Sequence, residues 1–199
     1  MLPELSIVPS AIRPLDAKPL TKRVRAVEVG AGIGRVTSSV LLHLVHDVVL
    51  LEPVEHFVKE ALARVVADTH AKGEWKGVKD GTKSVTVVQG TLQAFDPRIP
   101  ISEQDQCAIL GKAGFSDNES PEQTPAAGFD VIWCQWCLGH LSDDELVAFF
   151  RRSKEALRSP GKGTSELDGL IVVKENLCSE AISGEPRTVF DASDSSLTR

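Results

Sequence analysis

Short apolar runs of strand length alternate along the chain with stretches whose apolar residues recur at helical spacing. Val24-Arg25-Ala26-Val27-Glu28-Val29 reads as a strand that runs straight into a glycine loop. From Ile33 to His46 the positions Val36, Val40, Leu41 and Leu44 give one apolar helical face. Asp47-Val48-Val49-Leu50-Leu51 is a second buried strand. Pro53 stands where a first helical residue is expected, ahead of the face Phe57, Val58, Ala61, Leu62 and Val65. Gly73 to Gly81 is a polar break, followed by a third strand from Ser84 to Gln89. Phe129 to Trp136 is the fourth strand. Ser142-Asp143-Asp144-Glu145 is a capping box opening a helix through Leu157, and Leu170 to Val173 is the fifth strand.

Continuous β-branched strands alternating with helices predict an α/β fold, a doubly wound and mostly parallel sheet covered on both faces. Residues 1–22 are Pro-rich without a clear period and read as an irregular lead-in to one domain over 23–199. Residues 97–128 carry Pro97, Pro100, Pro121 and Pro125 with little periodicity beyond Ala108 to Leu110, and read as a surface insertion. Residues 158–168 read as a second, smaller one. Folds of this class bind ligands beyond the carboxyl ends of their strands, so the residues just after each strand matter most.

Composition changes this picture little. The 199 residues are 42% hydrophobic and 25% charged, as in an ordinary globular domain, and no stretch approaches the roughly 20 apolar residues of a membrane helix. Met1 to Ser10 lack a basic segment and contain Pro3 and Pro9, so no signal peptide is expected. A cytoplasmic or also nuclear location, no membrane partner and a monomer are the expectations. The net charge of −6 argues against nucleic acid and mildly for cationic partners. Cys134 and Cys137 form a C-x-x-C, which is either a redox pair, half a zinc site, or two small buried hydrophobes. Its apolar surroundings and the isolation of Cys107 and Cys178 favour the last, and no metal site is expected.

The chemistry sits in Glu28-Val29-Gly30-Ala31-Gly32-Ile33-Gly34-Arg35. A strand-to-helix turn that a ligand approaches closely needs glycine. A dinucleotide fingerprint would place its third small residue where Arg35 stands, whereas here the glycine falls one position earlier, at Gly34. G-x-G-x-G is the pattern of S-adenosylmethionine (AdoMet) methyltransferases. Glu52, ending the second strand, is placed to accept ribose hydroxyls, unless it is simply a solvated charge before a helix. The fork of Arg35 suits the methionine carboxylate. Leu92 and Gln93 follow the third strand where an adenine would lie. Gln135, polar at an apolar strand end, needs partners from backbone or ligand.

Val29-Gly30-Ala31-Gly32-Ile33-Gly34-Arg35-Val36-Thr37, Leu92-Gln93-Ala94-Phe95, Val131 to Leu141 (VIWCQWCLGHL) and Lys174-Glu175-Asn176 together resemble the protein alpha-N-terminal methyltransferase family. The tail Asp191-Ala192-Ser193-Asp194-Ser195-Ser196 is similar to that family's acidic D-x-x-D-S-S segment. The resemblance implies a Rossmann-like class I methyltransferase fold and transfer of methyl groups from AdoMet to the free α-amine of proteins beginning X-Pro-Lys. It implies cofactor contacts from Gly30, Gly32, Gly34, Arg35, Glu52, Leu92, Gln93 and Gln135. Trp136, Asn176 and Ser196 would line the peptide site, with His140 and Asp194 as catalytic residues. Glu52 stands where aspartate is expected and keeps the carboxylate. Residues 1–22 do not resemble the helical segment expected ahead of the first strand, and the family continues past D-S-S, so a chain truncated at both ends is expected.

An α-amine has a reference pKa near 7.7–8.0, so a modest base suffices to expose its lone pair. Asp194 or His140 suits that role, although His140 also reads as a structural hydrogen-bonder and Asp194 as a solvated tail charge. Trp136 is either core or a wall against the first substrate residues. Two rival readings are a methyltransferase for a small molecule and a non-catalytic AdoMet-binding module.

Overall fold

The computed structural model describes residues 23–68, 73–114, 128–158 and 169–176, together with the backbone of 189–191 and 196–198. Strands β1 (Arg25–Val29), β2 (Asp47–Glu52), β3 (Ser84–Gln89), β4 (Ala108–Gly114), β5 (Val131–Gln135) and β6 (Leu170–Lys174) form one sheet in the order β4-β3-β2-β1-β5-β6. All neighbours are parallel except β3 and β4. Successive strand residues point to opposite faces, and both faces are covered. Ala26, Val48, Leu50, Val85 and Val87 join one apolar cluster; Val27, Val29, Val49, Leu51 and Ile132 join the other. This is why the strands read as unbroken apolar runs.

Helix α2 (Glu55–Asp68) buries Val58, Ala61 and Val65 in the first cluster, while α3 (Asp143–Ala156) buries Phe149 in the second. The expected capping box is present at the start of α3: Ser142 accepts from the Glu145 N–H and the Glu145 carboxylate accepts from the Ser142 N–H. The helix expected from Ile33 to His46 is less regular. A π-helical turn, Thr37–Leu41, leads into the short α1 (Leu42–Leu44), and the Leu42 N–H reaches back to the Thr37 carbonyl. Such turns occur often at functional sites.

Three expectations need correction or bounding. The proposed insertion 97–128 contains β4, an antiparallel edge strand whose register shifts between Val87 and Val88. Its strand signal is weak because Gly111 must be small: a Cβ there would lie 2.6 Å from Leu62 Cδ1 of α2. The polar break at 73–81 holds Trp75 and Val78 in the core, and the Asp68 carboxylate accepts from the N–H groups of Glu74 and Trp75, both at 2.9 Å. The lead-in 1–22, most of the smaller insertion and Cys178 lie outside the described residues. A two-stranded antiparallel piece, β7 (Val189–Asp191) with β8 (Ser196–Thr198), includes the position of Ser196.

Candidate functional site

The strand order reverses beside β1: β2 follows on one side and β5 on the other. The carboxyl ends of β1 and β5 therefore open on a switch-point crevice. A cleft of about 350 Å³ lies there, lined among others by Glu28, Gly30, Gly32, Arg35, Gln135 and Trp136. Gly30, Gly32 and Gly34 all have positive φ, at 65°, 57° and 82°. Their surroundings differ. A Cβ on Gly30 would lie 2.5 Å from Cys137 Cβ, and one on Gly34 would lie 2.5 Å from Trp75 Cη2 and 2.8 Å from Leu50 Cδ1. A Cβ on Gly32 would meet nothing within 4 Å. Gly34 thus packs against the core rather than lining the cleft, and Gly32 keeps space open beside the backbone.

Glu52 is buried and ties this loop down. Its carboxylate accepts the Gly32 N–H at 2.7 Å and the Val54 N–H at 2.9 Å. Each carboxylate oxygen retains a further lone pair. Glu28, which no motif reading singled out, is buried in the cleft floor with Thr37 Oγ1 donating to it at 2.5 Å. Burial lifts its carboxyl from the ordinary 4.5 to about 7, against the opposing pull of the Thr37 bond. The signal was visible as a single charge inside the apolar run Val27-Glu28-Val29.

Across the cleft, half-buried Gln135 precedes Trp136, which is 53% exposed and holds φ at 56°. Two cations lie over its ring, Arg35 at 5.9 Å and Lys174 at 4.9 Å from the centroid. His140 is exposed at the end of a 3₁₀ turn, Leu138–His140, and β8 runs beside that turn. Asn176 is exposed just past β6. Leu92 and Gln93 occupy the neighbouring loop after β3 and do not line the cleft; Gln93 Nε2 donates to the His140 carbonyl at 3.3 Å. That loop is held by Arg152 of α3, whose guanidinium donates to the carbonyls of Leu92 and Phe95. Gly30, Gly32, Arg35, Gln135 and Trp136 therefore line one cleft, with Glu52, Leu92, Gln93, His140 and Asn176 around it; Gly34 packs against the core, and Asp194 and the side chain of Ser196 lie outside the described residues. Cys134 and Cys137 are buried free thiols, and burial pushes Cys134 up to about 12 and Cys137 higher still. Among the described residues no group of three or more His, Cys, Asp or Glu is placed to hold a metal.

The model of the AdoMet-dependent proline di-methyltransferases matches residues 10–199. The chain belongs to this family. It is 34% identical over 178 residues to alpha N-terminal protein methyltransferase 1 of Arabidopsis thaliana, covering 87% of this chain and 45% of that protein. It is 31% identical over 174 residues to human N-terminal Xaa-Pro-Lys N-methyltransferase 1, covering 87% of this chain and 54% of the human protein. A solved SAM-dependent methyltransferase from Leishmania major superposes with a TM-score of 0.54 at 26% identity, covering 89% of this chain and 49% of that one. The chain spans about half the length of the curated relatives it matches. The sheet, the glycine loop and the switch-point cleft are those of a Rossmann-like class I methyltransferase fold.

Proposed function

We propose that the cleft at the β1 and β5 ends binds AdoMet, and that the adjoining wall presents the free α-amine of a protein beginning X-Pro-Lys. The observation that carries this is the open space at Gly32, facing a wall formed by Gln135 and Trp136. In this reading Arg35 pairs with the methionine carboxylate, Glu52 accepts ribose hydroxyls through its free lone pairs, Gln135 also touches the cofactor, and Leu92 and Gln93, in the loop beside the cleft, stand on the adenine side. AdoMet supplies a methyl group activated by a sulfonium. The chain's own task is to present the amine with its lone pair bare, so the amine proton must leave for a base. His140 and Asp194 are assigned that proton, with Trp136, Asn176 and Ser196 holding the peptide beside them. The exposed indole offers an apolar wall to the first substrate residues, while its cation-binding role is already taken by Arg35 and Lys174.

The test is mass spectrometry of Ala-Pro-Lys and Ser-Pro-Lys peptides incubated with the chain and AdoMet. Methyl on the α-amine is the expected result. An N-acetylated control should stay unmodified, because its lone pair is delocalised into the amide. Methyl on the lysine side chain would sink the α-amine assignment.

A further inference from the structure

The exit of β5 is where backbone conformation and residue type are most at odds. Trp136 is the one non-glycine residue with positive φ among the described residues, and bulky side chains rarely adopt that conformation. Such strain persists only where the surroundings over-determine it. Two contacts do so. The Trp136 N–H donates to the Lys174 carbonyl at 3.1 Å. The N–H groups of the next two residues, Cys137 and Leu138, converge on one oxygen, Oε1 of Glu175, at 2.9 and 3.0 Å. Successive N–H groups pointing the same way form a nest for an anion, and bonds to a carboxylate are charge-assisted. Trp136 immediately precedes this nest, and the turn that begins inside it ends at His140.

We propose that Glu175 is the positioning residue of the acceptor wall: through the Cys137 and Leu138 N–H groups it holds Trp136 and His140 in place without itself touching substrate or cofactor. The proposal rests on the reading of that wall as the acceptor side. The nest adjoins the glycine loop only where Gly30 packs against Cys137, and that loop carries its own anchor in Glu52. Loss of the Glu175 carboxylate should therefore loosen one side of the cleft and spare the other.

Glu175→Ala and Glu175→Gln test this against the parent chain. Glutamine keeps an oxygen able to accept both N–H groups; alanine has none. In Glu175→Ala, amide exchange at Cys137 and Leu138 should accelerate by about ten-fold or more, as expected for lost anchoring bonds. Iodide quenching of Trp136 fluorescence, isolated by comparison with Trp136→Phe, should rise. AdoMet Kd should stay within about three-fold while the KM for an Ala-Pro-Lys peptide rises about ten-fold, and Glu175→Gln should restore most of both losses. Unchanged exchange and quenching in Glu175→Ala would overturn the proposal. So would a fall in AdoMet affinity as large as that for the peptide, which marks a general structural role. If Glu175→Ala does not fold, Glu175→Asp, one methylene short of the nest, makes the same comparison with the charge kept. A parent chain that binds AdoMet but leaves the peptide unmethylated would remove the α-amine reading, and the exchange and quenching comparison would still decide the role of Glu175.

Discussion

The two walls of the cleft are built on opposite principles. The β1 side is backbone: three glycines at positive φ, a buried carboxylate chelating loop N–H groups, and a second buried carboxylate beneath. The β5 side is side chain: an exposed, strained indole, an exposed histidine and an exposed asparagine past the neighbouring strand. A wall made of backbone suits a ligand that never changes, because its shape follows from dihedrals that few residues permit. A wall made of side chains can be altered one residue at a time without touching the sheet. The cofactor reading belongs mainly to the first wall, with Gln135 reaching the cofactor from the second, and substrate choice belongs to the second.

The sharpest way to break this comparison is inside the glycine loop itself. Gly34→Ala forces a Cβ to within 2.5 Å of buried Trp75 and 2.8 Å of Leu50. Overpacking plus a left-handed alanine should cost about 2–5 kcal/mol of stability. Gly32→Ala meets nothing within 4 Å, so only the left-handed conformation costs it, about 1–2 kcal/mol. Its methyl nevertheless enters the space assigned to AdoMet. Thermal denaturation should rank Gly34→Ala as the worse folder, while titration calorimetry should show Gly32→Ala losing AdoMet in a folded chain. Full AdoMet affinity in Gly32→Ala would move the cofactor elsewhere.

Glu28 sharpens the comparison through pH. Its carboxyl titrates near 7 in the fold and near 4.5 when unfolded, so between those values the folded chain binds the extra proton. Stability therefore falls as pH rises from about 4.5 to 7, and below 4.5 the penalty is absent. The total is on the order of 3 kcal/mol. Glu28→Gln should remove that slope, which denaturant melts at pH 5 and 8 would reveal. An equal slope in both chains would show that Glu28 stays ionised beside Thr37.

The backbone-built wall was legible because glycine spacing and β-branched runs report dihedrals and two-sided burial directly. Gly30 to Arg35 and the mostly parallel sheet follow from local pattern, whereas the strand order is seen only in the structure. Glu28 was equally visible, a charge in a buried strand. Other features carry no such local signal. Strand β4 has an exposed edge, and a glycine, Gly111, where it passes under α2, so it reads as loop. Trp75 stands among polar residues yet fills the core against Gly34. Nothing in the residue type of Glu175 or Arg152 tells that each anchors backbone groups on another element. The reading of the β5 side as the acceptor wall therefore rests on resemblance, while the bonds that hold that side are seen only in the fold.

The smallest effect tests the side-chain wall. Trp136 is 53% exposed, so replacing it gives up roughly half of an indole's burial, on the order of 2 kcal/mol, and it sits in a conformation that asparagine tolerates far better. Trp136→Asn should therefore keep stability within about 1 kcal/mol of the parent chain, the lost burial being offset by the relieved strain. AdoMet affinity should change little, since Gly32 and Glu52 are untouched and Arg35 loses only a ring 5.9 Å away, while peptide KM rises with the loss of the indole face. Urea denaturation, AdoMet calorimetry and peptide kinetics on one preparation separate the three quantities. A clear loss of stability would mean that the indole packs as core and that the two walls are not distinct. Retained stability with weakened peptide binding would identify the left-handed tryptophan as strain maintained for the acceptor, a cost that the β1 wall avoids by using glycine.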